Sequence, residues 1–171
     1  MSLRVNNFLG RELSIPASLL YDPEQGLWAR WGQEGRWALG LTEPALLMAG
    51  GLRQAEPLAE PGQEVAPGEM VLLALTGKLK YLTSPLAGVV DYPADMAAAT
   101  AAAAGDPYAA PLLFLAAPRE AGRVLADAPA YARAVALSEG ARNPSGAMGA
   151  ASPTCKAVYQ GIAAQRLDRA D

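Results

Sequence analysis

Few side chains in this sequence could do chemistry, and their types narrow the choice. There is no histidine and a single cysteine, Cys155, so neither an imidazole base, nor a cluster of soft metal ligands, nor an intramolecular disulfide can be assembled. The 17 Asp and Glu residues are scattered, with no pair spaced for acid–base work. That leaves lysine. Of the 14 basic residues only three are lysines, Lys78, Lys80 and Lys156, and the first two stand almost side by side in a chain that otherwise uses arginine. A neutral lysine amine forms amides, and what a protein must supply is an exposed, rigid projection that carries it.

The segment around the pair has that form. The apolar run Met70–Leu75 is expected as a strand, Thr76-Gly77-Lys78 as a turn with Gly77 at the tight position, and "LKYLTSPLAGVV" as the return with Tyr81, Thr83, Val89 and Val90 favouring strand. Lys78 then sits at or beside a hairpin tip. Gly62 and Gly68 mark turns before the hairpin, and Ser84-Pro85 with Gly88 marks a turn after it.

The remaining elements must support this projection. Residues 11–24, "RELSIPASLLYDPE", are broken by Pro16 and Pro23 and read as an irregular lead-in. Leu27–Trp31 and Arg36–Leu41 read as a tryptophan-rich hairpin around Gly-Gln-Glu-Gly, with Trp28, Trp31 and Trp37 as core and edge packing. "LTEPALLMAGG" carries the punctuation of one short helix: Thr42 as cap, Pro44 in the first turn and Gly50-Gly51 at the exit. "PADMAAATAAAAG" reads as a helix too short to span a membrane, and Leu112–Ala116 as a last buried strand. Over 119–139 an approximately helical spacing of Val124, Leu125, Ala128, Tyr131, Val135 and Leu137 is interrupted by Pro129, giving two helical pieces. A Gly- and Ser-rich linker follows. It leads to a terminal helix with Cys155, Val158 and Ile162 on one side.

The 171 residues suffice for one core, and 51% hydrophobic content with only 6% aromatic builds it mostly from Ala, Leu and Val. A net charge of -3 without a run of Lys or Arg argues against nucleic acid and anionic membranes as partners. The N-terminus lacks the apolar core of a signal peptide, and the expectation is a cytoplasmic protein.

From about Tyr21 to Tyr131 the sequence resembles the glycine cleavage system H proteins and their lipoyl-carrier relatives. "YDPEQGLWAR" is similar to the family's opening strand, "LGLTEPALLMAG" to its short helix, and "PGQEVAPGE" and "SPLAGVV" to the turns on either side of the carrier hairpin. "GDPY" at 105–108 matches the element before the last strand, where Asp106 and Tyr108 are expected to fix a turn, and "VLADAPAY" resembles the start of the C-terminal helices. Two departures stand beside these. Leu75 occupies the position three before the lysine where members carry an acid, and the stretch from the lysine to Ser84-Pro85 is one residue short, so counting back lands on Gly77.

The resemblance implies a mainly β, lipoyl-type fold (a barrel-sandwich hybrid or flattened β-barrel) with a short helix and C-terminal helices. The division is 1–20 lead-in, 21–118 lipoyl-type domain, 119–139 C-terminal helices and 140–171 linker with terminal helix. It implies a non-catalytic carrier with lipoate on Lys78. Its partners would be a lipoate-attaching enzyme, glycine decarboxylase, aminomethyltransferase and dihydrolipoamide dehydrogenase, between which an aminomethyl group is shuttled. "TGK", "YDPE" and "LMAGGL" also resemble a branch of lipoate-binding proteins in heterodisulfide-reductase-like sulfur oxidation. A third alternative is a degenerate, unlipoylated adaptor, favoured by Leu75 and the short loop. Cys155 is expected to be a passive apolar residue, with exchange against a lipoyl arm as the alternative.

Overall fold

The structure is a computed structural model, which describes residues 1–32 and 34–143. The terminal helix expected around Cys155 lies outside the described residues. The elements in chain order are β1 (Ser2–Phe8), β2 (Arg11–Pro16), β3 (Leu20–Asp22), β4 (Leu27–Trp31), β5 (Trp37–Leu41), α1 (Glu43–Ala49), β6 (Gln54–Pro57) and β7 (Glu64–Val65). They continue with β8 (Met70–Leu75), β9 (Leu79–Thr83), β10 (Gly88–Asp91), α2 (Met96–Gly105), β11 (Leu113–Ala116), a 3-10 helix at Arg119–Val124 and α3 (Ala128–Leu137).

The strands form three antiparallel sheets: β1-β2, the six-stranded β3-β4-β5-β11-β10-β7, and β6-β8-β9. None closes into a barrel, so the mainly β body is an open sandwich rather than a flattened barrel. The six-stranded sheet is covered on both faces because side chains alternate along a strand. Leu27, Ala29, Leu39, Leu113 and Leu115 enter one core with Val71, Leu72 and Leu82 of the small sheet. Trp28 and Ala38, from the same strands, enter a second core with Val5, Leu13 and Ile15 of the β1-β2 hairpin and Tyr131 and Val135 of α3.

Residues 11–24 are therefore not an irregular lead-in: they supply β2 and β3. Glu12, Leu13, Ser14 and Ile15 alternate polar and apolar, and only Leu13 and Ile15 are buried. Pro16 does not break the strand because it sits at its last position, opposite Ser2. Pro129 likewise begins α3 rather than interrupting it, with Asp127 capping through a 2.8 Å bond from the Ala130 N–H. Val124 and Leu137, expected on the buried face, are instead 76% and 70% exposed.

The second core is ordered by aromatic packing. Tyr21 and Tyr131 stack at 4.3 Å with rings parallel to 1°, and Tyr21 donates to Pro16 O at 2.6 Å. The Tyr131 hydroxyl meets Thr42 Oγ1 at 2.7 Å, which joins α3 to the cap of α1. Trp28 Nε1 donates to Pro107 O at 2.8 Å, and a Cβ on Gly40 would lie 2.7 Å from its ring, so only glycine admits the indole there.

Burial pushes the phenols of Tyr21, Tyr108 and Tyr131 up, Tyr131 to about 12. An unfolded tyrosine ionises at the ordinary value of 10.0, so Tyr131's contribution is intact below that pH and is lost as the pH climbs to about 12. We expect denaturant stability to fall steeply across this interval, with a shallower fall in Tyr131→Phe. An equal slope in the two proteins would show that this phenol is not protected.

Candidate functional site

The candidate site is the β8-β9 hairpin, whose strands pair through Leu75↔Leu79 directly beneath the loop Thr76-Gly77-Lys78. The loop is held from inside and from the side. Thr76 is 2% exposed; its hydroxyl donates to Lys78 O at 2.7 Å and accepts from the Lys78 N–H at 3.1 Å, while its own N–H donates to Lys78 O at 2.9 Å. The Gly77 N–H donates to Ala49 O, at the last turn of α1, at 2.7 Å. That carbonyl is one of those a helix leaves without an internal partner.

The glycine's role differs from the one expected. Gly77 does not have a positive φ, so no left-handed turn requires it. What requires it is proximity: a Cβ there would lie 2.7 Å from Ala49 O. Gly50, by contrast, is left-handed at φ 84° and ends α1 where the tip docks.

The two lysines part company here. Lys78 is exposed on the tip. Lys80 is half-buried on the other side of the hairpin, and its Nζ donates to Gln25 O at 2.7 Å. Burial lowers its pKa from the ordinary value, against the opposing pull of the Asp22 carboxylate.

Gln25 is a residue that sequence reasoning missed. Its side-chain amide closes on the main chain of Thr83, Oε1 accepting the Thr83 N–H at 2.7 Å and Nε2 donating to Thr83 O at 3.0 Å. Nε2 also donates to Asp22 Oδ2 at 2.7 Å. In this way the 22–26 loop clasps β9, an edge strand of its sheet, across 58 residues of chain. No local signal marks Gln25 for this, whereas Thr76 before Gly77 had the hydroxyl of a turn residue.

The flanking turns also meet in space. Gly88 and Val89 of β10 pair with Val65 and Glu64 of β7, and the Gly68 N–H donates to Ser84 O at 2.9 Å. Gly62 and Gly68 are both left-handed, at φ 85° and 91°. Asp106 and Tyr108 fix a turn, with the Tyr108 N–H on Asp106 Oδ1 at 3.0 Å. Among the described residues no group of His, Cys, Asp and Glu is arranged to hold a metal ion.

The open β-sandwich that presents a lysine on a pinned hairpin, flanked by two meeting glycine turns, has an H-protein-like fold. A crystal structure of a glycine cleavage system H protein from Mycobacterium marinum matches with a TM-score of 0.59 at 27% identity, over 72% of this chain and 100% of that one. No protein-family model matches the chain, and no curated protein does.

Gly77→Ala is expected to lower stability by about 1–3 kcal/mol by forcing the tip off α1, and Thr76→Val by about 1 kcal/mol. Lys78→Ala, on the exposed tip, should stay within about 0.5 kcal/mol of wild type. Urea unfolding of the three variants checks this; a neutral Gly77→Ala would mean that the tip does not rest on the helix.

Proposed function

We propose that the chain is a lipoyl carrier loaded on Lys78. The observation that carries this reading is the contrast between the Lys78 side chain, exposed at the tip, and its backbone, held by Thr76 and tied through Gly77 to Ala49. Attachment of lipoate is amide formation, and it needs an amine that an enzyme can reach on a projection that does not yield. Lys78 fits this better than Lys80, whose amine is half-buried and bonded to Gln25.

Bound there, lipoate supplies a dithiolane on a long arm that takes up a group in one enzyme and gives it up in another. The chain's own residues hold the attachment point. Thr76 fixes the turn, α1 props it from the side, and Gln25 keeps β9 from peeling away. The 27% identity with an H protein supports glycine cleavage as the route, with aminomethyl transfer between glycine decarboxylase and aminomethyltransferase and reoxidation by dihydrolipoamide dehydrogenase. A specific observation favours the second reading, a carrier for sulfur-oxidation enzymes: "TGK", "YDPE" and "LMAGGL" resemble the lipoate-binding proteins of that chemistry.

Intact-mass spectrometry after expression with lipoate and a lipoate ligase is expected to show a lipoyl increment in wild type and in Lys80→Ala that Lys78→Ala abolishes. An increment that survives Lys78→Ala would move the attachment elsewhere. No increment with cognate and general ligases would favour the unlipoylated adaptor.

A further inference from the structure

The β6-β8-β9 sheet has one face in the inner core and one face toward solvent. Leu72, Ala74 and Leu82 take the inner side and are fully buried. On the other side the register sets Leu73 against Tyr81 and Leu75 against Leu79, with Met70 against Thr83 and the Leu58 N–H on Val71 O at the margin. Residues directly opposite one another in an antiparallel pair share a face, so these side chains adjoin. Met70, Leu79, Tyr81 and Leu58 are 58%, 61%, 55% and 44% exposed, and none of the six apolar residues named on this side belongs to either core. Single exposed apolar residues are ordinary, but a contiguous patch marks a surface with an occupant.

Size, tether and charge single out that occupant. Three strands span about 10 Å and a strand of β8's length about 17 Å, the footprint of three turns of a helix about 10–12 Å across. Such a face is far smaller than the roughly 800 Å² that each partner gives to a stable interface, whereas a segment of the same chain docks at an effective concentration in the millimolar range. Residues 144–171 continue the chain from Asn143, and α3 ends beside the hairpin, since Ser138 and Lys80 line one small groove. The stretch from Asn143 to Pro153 reaches up to about 33 Å. Within 153–167, Cys155, Val158, Tyr159 and Ile162 recur at helical spacing, and the only charged residues are Lys156 and Arg166. The sheet answers with the opposite sign: residues 54–77 hold Glu56, Glu60, Glu64 and Glu69 and no lysine or arginine. Glu56 stands on the face itself, opposite Leu73, and among the described residues none of these four acids is in an ion pair.

We propose that residues 153–167 of this same chain lie across the outer face of the β6-β8-β9 sheet, with Cys155, Val158 and Ile162 against Leu73, Leu79 and Tyr81 and the basic side chains toward Glu56. The segment then closes the apolar surface that begins one residue beyond Lys78, at Leu79. This packing does not depend on whether Lys78 carries lipoate.

The test uses the full chain carrying Cys155→Ala and Gln160→Cys, which puts a nitroxide on the side of the segment away from its apolar row, and methyl NMR of Met70, Leu73 and Leu79. Their signals are expected to be lost to broadening by the nitroxide and to return when it is reduced. Adding Ile162→Asp should also bring them back, and Arg166→Glu should do so in part. Unshifted Val71 and Leu82 methyls in each variant show that the body is folded. A mixture of nitroxide-bearing chain with separate isotope-labelled chain should leave the signals intact. Signals lost in the mixture would assign the face to a second copy and overturn the proposal. So would signals that persist beside the nitroxide, or that stay lost in the Ile162→Asp variant.

Discussion

The structure depends on one sheet being buried twice. β3, β4, β5 and β11 send alternate side chains into two cores, with Leu27, Leu39 and Leu115 on one side and Tyr21, Trp28 and Ala38 on the other. A sheet covered on both faces has no tolerance for a register slip, since shifting one strand by a residue would exchange Trp28 with Ala29 and overfill one core while emptying the other. Gly40 enforces the choice by leaving room for the Trp28 indole that any side chain would occupy. The N-terminal hairpin and α3 close the outer core, and the β6-β8-β9 sheet closes the inner one.

The position of the lysine hairpin follows from this arrangement. β8 is anchored through Val71, Leu72 and Ala74, all fully buried, so the strand that leads to the tip cannot slide. The tip itself rests on the end of α1, whose N-terminus is tied through Thr42 to Tyr131 and so to the outer core. β9, which has a partner on one side only, is held by the Gln25 clasp in place of a neighbouring strand. The shortened loop thus gives a tight, supported tip. Leu75 pairs with Leu79 under it.

Much of the fold was legible from local pattern. Leu27–Trp31 and Met70–Leu75 were readable to the residue, because apolar and β-favouring side chains run between clear turn signals. The cap and exit of α1 were legible because Thr42, Pro44 and Gly50 each have a local physical role. The β2 strand was hidden by its proline, Pro16, and the exposure of Val124 and Leu137 was invisible because helical spacing does not say which neighbours exist to cover a face. At the site, the hairpin and its lysines were legible, while the reason for Gly77 was not: its need comes from Ala49, a residue far away in the chain.

By itself, then, the sequence determined the inventory: no histidine, few lysines, a glycine-threonine turn at the end of an apolar strand, and paired glycine turns around it. Those are properties of residue type and short-range spacing, which composition and local backbone preference express without any partner. Only the tertiary structure decided which lysine faces solvent and which lies in a groove, and that Gln25 and Ala49 hold the hairpin in place. The physical reason is that burial, desolvation and close approach are relations between segments brought together by packing, and no segment carries them alone.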